Sequence, residues 1–248
     1  DCIQMEVDCF SSAGQLLWSY VPQKKFGFGN YELEGPWGIR DIFVSAHGAK
    51  PAIWVSMKHY PWGTAFVAQI DPSTGKDSVR FVNSGPIYTL NEVVISGKPY
   101  LLAGGFNSEY AAGILAVIDE NTPFAVSPQT AGTRHKCVSC PEGAPDYYFV
   151  VPRSEINLLE SPWEGSVFFI SIHGEEIEIA QVELMQNGPD APAQMDKVHT
   201  VYVFHTRPTV APYSFRFDTG YDLLHGELER KHKLNHSLDD CPERRHPD

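Results

Sequence analysis

Four strongly apolar strand segments open at near-equal intervals along the 248-residue chain, and this period limits the possible folds more than any other feature. The polar residues just before them are Asp41 (RDIFVS), Glu92 (NEVVIS), Asp146 (DYYFVV) and Thr200 (HTVYVF), at spacings of 51, 54 and 54 residues. A second landmark keeps step: the turns DPSTG at 71–75, DENTP at 119–123, SIHG at 171–174 and DTG at 218–220, with SSAG at 11–14 as a further copy. Between the landmarks lie short segments rich in β-branched and aromatic residues, such as AIWVSM, AFVAQI, ILAVI and SVFFISI, each bounded by Gly, Pro or Asn. A helical period is hard to find outside 222–234.

A unit of about 50 residues holding four strands is the size of a β-propeller blade. The expected fold is therefore all-β, a propeller of about five four-stranded blades. Well-formed units are expected at about 39–83, 91–127 and 146–184. Residues 3–21 read as the last two strands of a blade, and 198–230 as three or four further strands. Such a chain either closes its ring by lending the first strands to the last blade or is a piece of a longer protein. The propeller is placed at 1–235 and a charged, His-rich tail at 236–248.

The turn AQIDPSTGK (68–76) resembles the Asp-x-x-Thr-Gly turn of quinoprotein-type propeller repeats, and SSAGQLLWSY (11–20) resembles their Gly-x-x-x-Trp ending. Trp18 alone holds the docking Trp position that quinone-using enzymes carry in most blades, so the resemblance implies architecture and no quinone cofactor.

In such a blade the start of the first strand and the loop between the second and third strands share one rim. That rim would collect Trp37, Arg40, Asp41, Asn91, Glu92, Asp146 and His199 from strand starts. The second loops would add His59, Tyr60, Trp62, Asn107, Tyr110, Trp163 and Arg207. Each of Trp37, Trp62 and Trp163 follows a proline and precedes a glycine within two residues, which holds its ring on a stiff turn. Either these rings plug the end of the propeller, or they form a platform for a sugar, whose C–H face stacks on indole while its hydroxyls are hydrogen-bonded.

Asp41, Glu92 and Asp146 would then converge, and like charges repel unless a cation or a proton intervenes. Asp41, Asn91, Glu92 and Asp146 are the oxygen ligands Ca²⁺ would use. The same three acids could serve glycoside hydrolysis as acid, base or nucleophile, an arrangement similar to that of five-bladed arabinanase-type glycosidases. The bland alternative is neutralisation by Arg40 and Arg207 in solvated ion pairs.

The longest connection, PQTAGTRHKCVSCPEGAP (128–145), is assigned to the same rim. Its Cys137 and Cys140 have CxxC spacing, open to a disulfide, free thiols, a metal site or redox chemistry, and Arg134 and His135 add positive charge. Five cysteines, an odd number, leave at least one unpaired within the chain.

A formal net charge of -12 disfavours nucleic acid as a partner. No apolar run approaches the roughly 18 residues of a membrane span, and no signal peptide is recognisable; a periplasmic or extracellular setting is favoured over the cytoplasm. Two functions from different classes follow. One is a non-catalytic propeller that binds a small molecule, glycan or protein on the Trp-rich rim; the other is a hydrolase, sugar-directed or calcium-dependent, using the inward acids.

Overall fold

The computed structural model of the protein describes residues 5–45, 47, 51–60, 63–129, 134–151, 165–174, 176–186, 195–207 and 214–218. Among them every regular element is a β-strand, and no helix is long and apolar enough to cross a membrane.

Two hairpins come first: β1 (Val7–Phe10) with β2 (Leu16–Tyr20), and β3 (Phe26–Phe28) with β4 (Tyr31–Leu33). Then β5 (Trp37–Ser45), β6 (Ala52–His59), β7 (Ala65–Ile70) and β8 (Asp77–Asn83) form an antiparallel meander. A second meander holds β9 (Ile87–Ile95), β10 (Lys98–Asn107) and β11 (Ala112–Asp119). After it, β12 (Ala125–Val126) returns to run parallel to β8, and β13 (Tyr147–Val151) joins β11 antiparallel. The third sheet is β14 (Ser166–His173), β15 (Glu176–Gln186), β16 (Met195–Arg207) and β17 (Ser214–Asp218).

The sheets stack face to face in chain order, and three apolar layers lie between them. Tyr20, Phe26, Phe28, Trp37, Met57, Phe66 and Val82 fill the layer between the two hairpins and the first sheet. Trp54, Val67, Phe81, Leu101 and Ile114 separate the first and second sheets, and Tyr100, Leu102, Leu115, Val167 and Ile179 the second and third. A strand with layers on both sides cannot alternate with polar residues, which is why ILAVI in β11 is apolar throughout and buried throughout. Each such large side chain contributes about 1.5–3 kcal/mol of burial. The first strand of the second sheet, β9, lies beside both β5 and β14, the first strands of its neighbours.

Trp18 of the first hairpin lies over the DPSTG turn: its indole N–H donates to the Pro72 carbonyl at 2.8 Å, and a methyl at Gly75 would meet its ring. The Asp71 carboxylate holds the turn by accepting from the Ser73 N–H at 2.7 Å.

The unit expected to begin at Asp146 does not; Tyr147–Val151 pairs with β11, Gly113 opposite Val151, and is the edge strand of the second sheet. The third sheet therefore opens at Ser166, and SIHG precedes its second strand. The stretch GFGNYELEG (27–35) contains most of the β3–β4 hairpin, turning at Gly29 with φ +54°. Residues 222–234 and the tail 236–248 lie outside the described residues.

Candidate functional site

At one end of the first two sheets lie the β6–β7 and β10–β11 turns and the β8–β9 connection. A buried polar network locks them together. The Asn83 amide donates to the Gly85 and Phe106 carbonyls at 2.9 and 2.8 Å. The Asn107 amide donates to Asn83 Oδ1 at 3.2 Å and to Tyr148 Oη at 2.7 Å, and Tyr148 Oη donates to Asn83 Oδ1 at 3.0 Å. Asn107 Oδ1 accepts from the Glu109 and Tyr110 N–H groups, which fixes the β10–β11 turn. Each buried group here has a partner, so the network adds rigidity without leaving polar atoms stranded.

The long connection docks against the β3–β4 hairpin. The Cys137–Cys140 disulfide closes a small loop, the Gly29 N–H donates to the Lys136 carbonyl at 2.8 Å, the Val138 N–H to the Gly27 carbonyl at 2.8 Å, and the Gly27 N–H to Ser139 Oγ at 2.8 Å. Of the alternatives open for this CxxC pair, the structure contains the disulfide. Between hairpin, connection and turns is a cleft of about 310 Å³, lined by Phe28, Tyr31, Leu33, Thr64, Phe106, Ser108, Arg134 and His135. Arg134 Nε donates to His135 Nε2 at 3.1 Å, and burial first, then the Arg134 charge, lowers the His135 pKa. The cleft thus offers aromatic walls, the hydroxyls of Tyr31, Thr64 and Ser108, the Arg134 cation and the His135 imidazole.

Of the residues expected on the rim, Arg134 and His135 line this cleft, while Asn107 and Tyr110 belong to the turn beside it. Trp37 does not present a platform: it is 2% exposed, its indole N–H donates to the Lys24 carbonyl at 2.9 Å, and its ring packs edge-on against Phe26, His59 and Phe66. His59 is buried beside it, and burial lowers its pKa. Buried to this extent, neither ring offers a face for stacking, and both belong to the interior of the protein. Arg40 donates through Nη2 to Tyr60 Oη, and Asn91 donates to the Ile170 carbonyl at 3.0 Å, tying β9 to β14. His199 and Arg207 lie within β16, opposite Val182 and Ser214. Trp62 and Trp163 lie outside the described residues.

The three acids do not converge. Asp41 accepts from the Ile42 N–H at 2.9 Å and the Leu90 N–H at 2.7 Å, joining β5 to β9. Asp146 accepts from the Asp119 N–H at 2.8 Å, at the opposite end of the second sheet from Asn107. Glu92 is buried with His47 Nδ1 at 3.0 Å from its carboxylate. Among the described residues no three His, Cys, Asp or Glu side chains are grouped to hold a metal ion, so the Ca²⁺ set of Asp41, Asn91, Glu92 and Asp146 is dispersed.

Glu92 instead acts on Glu120. Burial first, and the Glu92 charge second, raise Glu120 from its ordinary 4.5 to about 7. Between those values the folded chain holds a proton that the unfolded chain has released, so stability is fully present below the window and declines as pH rises through it. Glu120→Gln is expected to melt a few degrees above the wild type at about pH 8 and to lose that advantage below about pH 5. Thermal scans across pH check this; an unchanged difference between the two ends would contradict it.

Spacing arguments pass over Phe28, Tyr31, Leu33, Thr64, Phe106 and Ser108. One signal was available: Gly29-Asn30 between FGF and YEL is a two-residue hairpin turn. Nothing local marks Phe106 or Ser108 as cleft residues. Neither protein-family models nor curated protein sequences match the chain.

Proposed function

We propose that the chain is a non-catalytic β-propeller binding protein, related in architecture to quinoprotein-type repeats, that takes a small carbohydrate ligand in the cleft between the β3–β4 hairpin and the disulfide-bearing connection. The observation that carries the reading is the cleft itself. Tyr31 and Phe106 supply faces for sugar C–H groups over a floor that includes the buried Phe28, and Thr64, Ser108 and Arg134 supply hydrogen-bonding groups. Its walls are held by the Asn83–Asn107–Tyr148 network and the docked connection, so little ordering cost accompanies binding.

Support for the propeller comes from consecutive four-stranded antiparallel units whose first strands are neighbours, and from Trp18 seated on the DPSTG turn as a docking tryptophan would be. The dispersal of Asp41, Glu92 and Asp146 favours binding over hydrolysis.

Titration with neutral mono- and oligosaccharides, followed by backbone amide shifts, tests the proposal. Saturable shifts confined to residues 28–33, 64, 106–108 and 134–135 are expected. Tyr31 is 50% exposed, so Tyr31→Ala should weaken binding about tenfold with little change in melting temperature. No saturable response to any saccharide, or equal affinity in the variant, would overturn it.

A further inference from the structure

On the same rim, where the first strands begin, two cations share one aromatic ring. The Arg40 guanidinium lies 5.3 Å and the Lys58 ammonium 4.9 Å from the centre of the Tyr60 ring, and Arg40 also donates to the Tyr60 hydroxyl. Among the described residues neither cation forms an ion pair. Asp41, adjacent in sequence, is no counterion: it accepts from the Ile42 and Leu90 N–H groups. Tyr88 at the start of β9 feels the Arg40 charge, and its ring stacks on Phe168 of β14, with centroids 4.2 Å apart and planes at 18°.

Two like charges held together, one on the half-buried Lys58 and one on the exposed Arg40, in a chain of net charge -12 are an unusual arrangement. Mutual repulsion and desolvation both oppose it, and one ring satisfies each cation only in part. Burial first, and Arg40 second, lower the Lys58 pKa, as expected where a negative charge is wanting. A negatively charged group between the two would reverse the balance. Guanidinium and ammonium would each donate to its oxygens, and the tyrosine hydroxyls would supply neutral donors beside them.

We propose that Arg40, Lys58, Tyr60 and Tyr88 form an oxyanion-binding site at the inner end of the rim, which takes the carboxylate or phosphate group of a small ligand. It shares no residue with the lining of the cleft and stands whether or not the cleft binds a sugar. The aromatic pair Tyr88–Phe168 gives the site an apolar side, so a ligand with a flat body behind the anionic group fits better than a bare ion.

The test compares inorganic phosphate and acetate, each against chloride at constant ionic strength, by thermal shift and titration calorimetry. The wild type is expected to show saturable stabilisation by at least one of the two; tighter phosphate binding would assign a phosphate ester, tighter acetate binding a carboxylate. Arg40→Gln and Lys58→Gln should each weaken the anion about tenfold, whereas Lys136→Gln should leave it unchanged. Without anion, both site variants should melt no lower than the wild type, since a repulsion has been removed. The proposal is overturned if neither anion gives a saturable response, if the site variants bind as well as the wild type, or if they melt lower without anion because the cations were already neutralised within the chain.

Discussion

Phe66→Ala is expected to lower the stability of the protein by about 3–5 kcal/mol, the range for emptying a buried aromatic site. Phe66 is fully buried in β7 and belongs to the layer that joins the hairpins to the first sheet. Its ring meets Trp37 edge-on at 4.8 Å and Phe26 at 5.5 Å, so both lose a partner when it is cut back. Because Phe26 belongs to the β3–β4 hairpin, which walls the cleft, ligand affinity should fall with stability. Urea unfolding with an unchanged slope measures the loss. A change below about 1 kcal/mol would mean that the layer is not packed as described.

Gly105→Ala should be as damaging for a different reason. A methyl there would overlap the Pro86 carbonyl oxygen, and a methyl at Gly85 would overlap the Phe106 carbonyl oxygen, so two backbone segments pass with no room for a side chain between them. The β9–β10 register shifts at Gly104 and Gly105, where this approach occurs. Relieving the overlap would move the β8–β9 connection and break the Asn83 clamp on Phe106; a loss of about 3 kcal/mol or more is expected. Gly97→Ala is the control. Gly97 has φ +79° with nothing within 4 Å of the added methyl, so only backbone strain of about 1–2 kcal/mol should appear. Equal losses at the two positions would rule out the close-approach explanation.

The strands were legible because β-branched and aromatic runs between turn residues mark them wherever they pair. The antiparallel meanders β5–β8 and β9–β11 were legible too, the latter helped by a short hairpin, since β9 to β10 turns through Ser96 and Gly97 alone. Pairing across a long connection was not. YYFVV at 147–151 reads equally well as a first or a last strand, and only its register against β11 decides. The same slip put Asp146 on the wrong end of the molecule. Trp37 was misread because a proline before an indole looks the same in a rim turn and at the start of a buried strand; burial is decided by Phe26 and Phe66, which are distant in sequence. Periodicity assigns Arg40 and Tyr60 to a common rim, but that they touch, and that Lys58 lies over the same ring, follows only from the folded structure.

One crossing strand alters how this architecture should come apart. In tandem arrays whose modules touch only adjacent modules, terminal modules can be shed singly. Here the polypeptide leaves the second sheet after β11, lays Ala125–Val126 alongside β8, and comes back to finish the second sheet with β13. Each of these two sheets therefore contains an edge that the other's chain path must release first. They should denature in one concerted step, with the third sheet free to fray ahead of them.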